Sequence, residues 1–406
     1  MRRFASALAV VILAGCAVPV GPAGSPAAMA ATAPPVPRPT SFAPSPTAAP
    51  TSTPQPSPTG APPTAPPSTA APTPATTAPT LAQLIGQKLV VRMEGATPSA
   101  GLLARVRAGE VGGVILFGSN VISPAQVASL TGALQAAARA GRQPPLLIAT
   151  DQEGGTIERI PWAPPTLSPP QMGAIGLTST ARQQGLITGQ ALLGLGIDCD
   201  LAPVADVPSS TTSFMYEEGR TWSFDPALTS SLSNAFAHGL RLGGVVPVMK
   251  HFPGIGMATQ DTDAYVETIS APANDLVPGL VPYQAAISRG VPMIMLSNAT
   301  YSAYDPLNGA GWSRAIVRGL LRDQLGFRGV TITDSLSGTA KARGISVSTL
   351  AIRASIAGTD MILMTGSEAS TQATYEAMLA AARAGQIPRT RLLAQYNRIL
   401  TLKSTL

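Results

Sequence analysis

Short, almost wholly apolar runs recur along the chain from residue 88 onward. They are "KLVVRM" from Lys88, "GVILF" from Gly113, "PLLIAT" from Pro145, "IDCDLAPV" from Ile197, "VVPVMK" from Val245, "VPMIML" from Val291, "GVTIT" from Gly329 and "DMILM" from Asp360. Each is too short for a helix of ordinary length and too uniformly apolar for a half-exposed strand, so each predicts a strand buried on both faces. Amphipathic stretches separate them. Ser123-Pro124 opens one as N-cap and N1 proline and Gly141 stops it; Asp225-Pro226 opens another, closed by Gly243-Gly244. Eight such strands alternating with helices predict an α/β fold, a single (β/α)8-like TIM barrel. Pro247 cannot donate to the sheet ladder and marks a bulge or a shortened pairing in the fifth strand.

The first 79 residues follow a different pattern. Arg2 and Arg3, the apolar run "FASALAVVILAG" and the closing Leu13-Ala14-Gly15-Cys16 read as a cleaved export signal over residues 1–15, too short to span a bilayer. LAGC is similar to a bacterial lipobox, which implies that Cys16 carries lipid; an ordinary signal peptide with an incidental cysteine is the other reading. Residues 16–79 are rich in Pro, Ala and Thr. Between 17 and 79 there are twenty prolines, one arginine and no carboxylate. This composition predicts a disordered linker, since it offers too little apolar surface to offset the entropy of ordering. Residues 80–406 remain for the barrel. The only other cysteine, Cys199, then has no partner, and the fold must rest on its core.

Charge excludes one class of function. Without Arg2, Arg3 and Arg38 the chain has 24 basic against 21 acidic residues, and only 12% of the whole chain is charged. No basic tract interleaves with aromatics, so no nucleic-acid partner is expected. No His/Cys cluster implies a metal, and no cofactor is implied.

Chemistry in such a barrel sits at the C-terminal ends of the strands. There the sequence places Asp151, Lys250-His251, Ser297-Asn298 and Asp334. Asp151 also fits a turn or cap, Asp334 an N-cap for "SLSG", and Lys250 and His251 a salt bridge or core histidine.

"IATDQEGGTIERI", "DLAPVADV", "EEGRTWSFDP", "KHFPGIG" and "GFRGVTITDSL", in this order, resemble glycoside hydrolase family 3, in particular its single-barrel β-N-acetylglucosaminidases. The resemblance spans residues 81–406. It implies a retaining exo-β-N-acetylglucosaminidase that removes terminal β-linked GlcNAc from peptidoglycan fragments. It places the nucleophile on Asp334 and substrate-gripping roles on Asp151, Arg220, Lys250 and His251; taken alone, Arg220 fits a surface charge equally well. The family continues KHFPG to a D-S-H tripeptide whose His is the general acid/base. Here that stretch reads "IGMATQDTD": Asp261 keeps the Asp, but Asp263 stands at the His, and Ile255 and Met257 replace polar residues. His238, in a barrel helix, is no substitute. Either Asp263 is the acid, with a proton shared in a carboxyl pair, or the loop is solvated and the barrel is a glycan-binding protein without turnover. A two-lobed transport receptor does not suit one closed barrel. The expected protein is an exported monomer, lipid-anchored on the outer face of a bacterial cytoplasmic membrane, whose partner is a β-linked GlcNAc-containing glycan or muropeptide.

The anchoring expectation is checked by cell fractionation. Cys16→Ser shifts the protein from the membrane pellet to the soluble fraction; retention in the pellet contradicts lipidation.

Overall fold

A computed structural model describes residues 78–406; the signal segment, Cys16 and nearly all of the linker lie outside the described residues. All eight apolar runs form strands: β1 (Leu89–Arg92), β2 (Gly113–Leu116), β3 (Leu147–Thr150), β4 (Cys199–Asp200), β5 (Val246–Phe252), β6 (Met293–Leu296), β7 (Val330–Thr333) and β8 (Ile362–Met364). They pair in parallel in the order β7-β6-β5-β4-β3-β2-β1-β8. The ring closes between β7 and β8, where Ile332 bridges Met361, Met361 N–H donates to Thr331 O (2.8 Å) and Thr333 N–H to Met361 O (3.1 Å). Closure removes both sheet edges.

Side-chain alternation divides the strands between two cores. Val90, Ile115, Leu147, Cys199, Val248, Met293, Ile332 and Leu363 fill the barrel interior, where Ile399 and Leu402 of the C-terminal helix (Arg389–Lys403) join them and plug the base. Leu89, Val91, Val114 and Ile148 point outward against the helices. The expected caps are present. Ser123 Oγ accepts from Gln126 N–H, and Asp225 Oδ1 from Ala227 N–H. Cys199 is a free thiol inside the barrel.

Pro247 is accommodated without a bulge of its own. Val246 and Val248 donate toward the β4 side, so the proline nitrogen faces β6, one residue before the β5–β6 register begins at Val248↔Met293. The irregularity lies further along, between Met249 and Phe252, and the short pairing is the one with β4, which spans two residues.

The seam rests on one buried carboxylate. Asp360 Oδ2 accepts from Thr331 N–H (2.9 Å), Thr331 Oγ1 (3.0 Å) and Arg322 Nη2 (2.6 Å), while Oδ1 accepts from Arg398 Nη2 (2.6 Å). A fully buried charge is tolerated only when so many donors replace water. Asp360→Ala leaves Arg322 without its buried counter-charge and Thr331 without its acceptor. It is expected to lower unfolding stability by about 3–5 kcal/mol, measured by urea titration; a loss below ~1 kcal/mol contradicts this account of the seam.

Candidate active site

The strand ends meet in a cavity of about 500 Å³ that includes Asp151, Glu153, Arg220, Lys250, His251, Asp261, Asp263 and Asp334 in its lining. All seven barrel residues selected from the sequence are therefore brought together. A larger hollow, about 910 Å³, lies outside the barrel against the helix Pro226–Leu242; it contains the exposed His238 and none of the mouth carboxylates.

Asp151 follows β3 directly, and Glu153 lies two residues on, in the short strand Gln152–Gly154, so both side chains take one face of an extended segment. Lys250, near the end of β5, projects between them. Its Nζ donates to Asp151 Oδ1 (2.8 Å) and pairs with Glu153 Oε1 (2.6 Å), using two of its three donors. Arg220 closes the cluster with a bidentate pair, Nε to Glu153 Oε2 (2.9 Å) and Nη2 to Oε1 (2.8 Å). Burial alone would raise the Glu153 pKa; Arg220 and then Lys250 outweigh it and hold the carboxyl far below its ordinary value. Burial would likewise strip the proton from Lys250, but Asp151 and Glu153 more than restore it. Beneath them Asp200, wholly buried, has its pKa pushed well up by desolvation while Oδ1 accepts from Gln152 N–H (2.9 Å).

His251 is oriented from behind. Its Nδ1 donates to Asp206 Oδ2 (2.7 Å), and Asp206 Oδ1 accepts the backbone N–H of His251 (3.2 Å) and of Ile255 (2.8 Å). Its Nε2 therefore faces the cavity, 3.9 Å from Asp334 Oδ2, which is beyond hydrogen-bond length. The peptide bond between Lys250 and His251 is cis.

Asp334 ends β7. It is not a helix cap: Oδ1 accepts from Ser335 N–H (2.8 Å), and the helix Leu336–Ala342 takes Ser335 as its N-cap residue. Asp263 comes from the loop after β5, which is packed in its first part and exposed at Thr259, Gln260 and residues 264–266, with Asp263 itself half-buried. Ile255 and Ala258 are buried in the outer core, Met257 packs against it, and Thr262 is buried. A Cβ at Gly338 would collide with the Asp263 carbonyl, so only glycine lets the helix Leu336–Ala342 approach so closely. Asp261 Oδ1 accepts the Asp263 N–H (2.9 Å), a local turn, and Asn298 Nδ2 donates to both Asp263 Oδ1 (2.7 Å) and Ser335 O (2.9 Å). Arg343, stacked over Trp312, donates to Asn298 O (3.1 Å). Burial raises the Asp263 pKa well above its ordinary value; the charges of Asp334 and then Asp261 add to this, and the Asn298 bond opposes it.

Glu153, Asp206 and Asn298 received no role from the sequence. The i, i+2 spacing after Asp151 could have signalled Glu153, and Asn298 already stood at a strand end. Asp206 acts through residues 45 and 49 positions away, and nothing local marks it. Among the described residues no group of three or more His, Cys, Asp or Glu side chains is placed to hold a metal ion.

A closed eight-stranded barrel with interlocked carboxylates and cations at its C-terminal rim defines a TIM-barrel enzyme site. The model of the glycosyl hydrolase family 3 N-terminal domain matches residues 80–402. The chain belongs to that family and is a glycoside hydrolase. It is similar to an uncharacterized secreted glycosyl hydrolase of Arthroderma benhamiae, 34% identical over 79% of this chain and 92% of the relative. It is also similar to a β-hexosaminidase of Nitrosomonas eutropha, 36% identical over 63% of this chain and 73% of the relative. Its fold matches a family 3 β-N-acetylglucosaminidase from Paenibacillus sp. with TM-score 0.77 and 31% identity, covering 81% of this chain and 63% of that one.

The Glu153 cluster makes a pH-dependent contribution with a definite sign. The folded pKa lies below the ordinary 4.5, so the stabilisation is complete above about pH 5 and is lost as pH falls toward the folded value. Glu153→Gln is expected to lower stability by about 3 kcal/mol at pH 7 and to flatten its dependence below pH 5. An unchanged acid limb in chemical denaturation at several pH values would count against this assignment.

Proposed function

We propose that this protein is a retaining exo-β-N-acetylglucosaminidase in which Asp334 is the nucleophile and Asp263 the general acid/base. The observation that carries the reading is the place of Asp263: it lines the mouth cavity together with Asp334, where burial and the Asp334 and Asp261 charges raise the pKa of its carboxyl. Asn298 occupies Oδ1, which leaves Oδ2 to carry the acid's proton. In the first step Asp334 attacks the anomeric carbon and the glycosidic bond breaks. Asp263 gives its proton to the departing oxygen, and the sugar stays esterified to Asp334. In the second step the Asp263 carboxylate takes a proton from water, whose oxygen displaces Asp334 from the anomeric carbon. Nε2 of His251, the remaining donor of Lys250 and the outer oxygen of Asp151 hold ring hydroxyls, while Arg220 fixes the cluster through Glu153.

A β-linked GlcNAc substrate draws support from the names of the similar proteins; its place at the end of peptidoglycan fragments is the further part of the proposal. Export, with lipid attachment at Cys16 on the outer face of the bacterial cytoplasmic membrane, draws support from the LAGC segment and from the relative described as secreted. A second reading, a glycan-binding barrel without turnover, is favoured by one contact: the Asn298 amide stabilises the charged form of Asp263.

Kinetics on β-GlcNAc substrates over a pH series separate the two readings. Asp334→Asn abolishes turnover by at least ~10³-fold while GlcNAc binding persists. Because the folded pKa of Asp263 is raised and the protonated form is the working one, activity is present below that pKa and falls as pH rises through it. Asp263→Ala slows substrates with poor leaving groups by roughly 10²–10⁴-fold and an activated nitrophenyl glycoside far less. If the wild-type chain and Asp263→Ala bind GlcNAc and are equally inert on every leaving group, the binding-only reading stands.

A further inference from the structure

The small net charge of the barrel conceals a separation by height. The connections that run from a helix into the next strand lie at the base, opposite the cavity, and exposed arginines stand on or beside five of them. Arg107 precedes β2, Arg142 precedes β3, Arg241 precedes β5, Arg289 precedes β6 and Arg328 precedes β7. The C-terminal helix closes the same end, donating from Lys403 Nζ to Gly112 O (2.6 Å) and from Gln395 Nε2 to Thr359 O (2.9 Å), and it begins with Arg389 and Arg391. Carboxylates at the base offer these arginines little: Asp198 and Asp360 are buried, Glu110 faces Arg105 (3.7 Å), and Asp323 is bonded to Arg318 (3.0 Å). None of Arg107, Arg142, Arg289 and Arg328 has a carboxylate within 4.0 Å or a side-chain hydrogen bond among the described residues.

Compensation of helix dipoles accounts for part of this. Arg107 and Arg241 sit in last turns, where a cation is favourable. It does not account for Arg142 or Arg328, which lie in connections beyond helix ends. It fails outright for Arg389 and Arg391, which occupy the first turn of their helix, where the dipole disfavours positive charge and no acidic residue offsets it. A cationic face that the fold does not require suggests a partner. The described chain also joins the barrel here: the helix Leu81–Gly86 leads directly into β1, and Arg389 Nη2 donates to Pro79 O (2.8 Å). The described chain thus begins at the same face, with the cavity at the opposite end.

We propose that the arginine-rich base is a docking surface for an anionic phospholipid bilayer, holding the cavity away from the membrane. The tethered end and the cationic face coincide, which favours a membrane over a soluble polyanion. Each cation near an anionic leaflet adds to the attraction, which decays within a Debye length. The proposal does not depend on the glycosidase reading; its preference for a membrane over a soluble polyanion rests on the lipid attachment proposed for Cys16.

The test is co-sedimentation of residues 16–406 carrying Cys16→Ser with vesicles of phosphatidylglycerol and phosphatidylcholine mixtures, at two salt concentrations. Binding is expected to need phosphatidylglycerol and to weaken as salt rises. The combined variant Arg107→Gln, Arg142→Gln, Arg289→Gln and Arg328→Gln is expected to lose at least about 10-fold in partitioning. A control that removes exposed charge from helices away from the base connections, Lys341→Gln with Arg353→Gln, is expected to lose less than about 3-fold; circular dichroism confirms that both fold. No binding to phosphatidylglycerol vesicles would overturn the proposal, as would equal losses per charge in the two variants. Arginine-dependent binding to soluble polyphosphate without binding to vesicles would overturn it in favour of a phosphate polymer.

Discussion

Lys250 is the point on which the mouth of this barrel depends. A single ammonium, almost wholly buried, stands between Asp151 on one strand end and Glu153 on the following short strand, with Arg220 on the far side of Glu153. No member of this group could be buried alone, since each charge out of water needs its partners close and well directed. Together they fix the ends of β3 and β5 relative to each other. The same strand then delivers His251 one residue later, so the clamp that neutralises the site also aims its imidazole.

The second fixed point is Asp206, which binds a ring nitrogen and two backbone amides at once. It couples the His251 ring to the start of the loop that carries Asp263. Ile255 and Met257 then hold that loop by apolar packing instead of polar contacts. This bears on how an aspartate on that loop could serve as the acid proposed above. A carboxyl works as an acid at neutral pH only when burial and neighbouring negative charge keep it protonated, and the place of Asp263 in the mouth supplies the burial.

Topology sorts the charges. Every strand runs from base to mouth, and most helices run back, so strand ends bring carboxylates to one rim while last turns bring arginines to the other. A formal charge of +3 over the barrel region is thus the sum of a mouth where carboxylates and cations nearly balance and a base rich in exposed arginines, two surfaces with different chemistry on one small fold.

The sequence by itself determined the architecture, because continuously apolar runs punctuated by capped helices are compatible with few folds. All eight strands and both capped helices appear where the pattern placed them. It also located the rim, since ionisable groups at the ends of apolar runs can only face outward or into a site. It could not choose between Asp334 as a cap and Asp334 as a cavity carboxylate, nor between Arg220 on the surface and Arg220 in the cluster. Those choices turn on distances across dozens of residues. Glu153, Asp206 and Asn298 matter through the groups that face them, and the setting of Asp263 comes from Asp334 and Gly338, more than seventy positions away in the chain. A residue's type is local; the solvation and charge that give it a function are properties of the folded neighbourhood, and only the tertiary structure decides them.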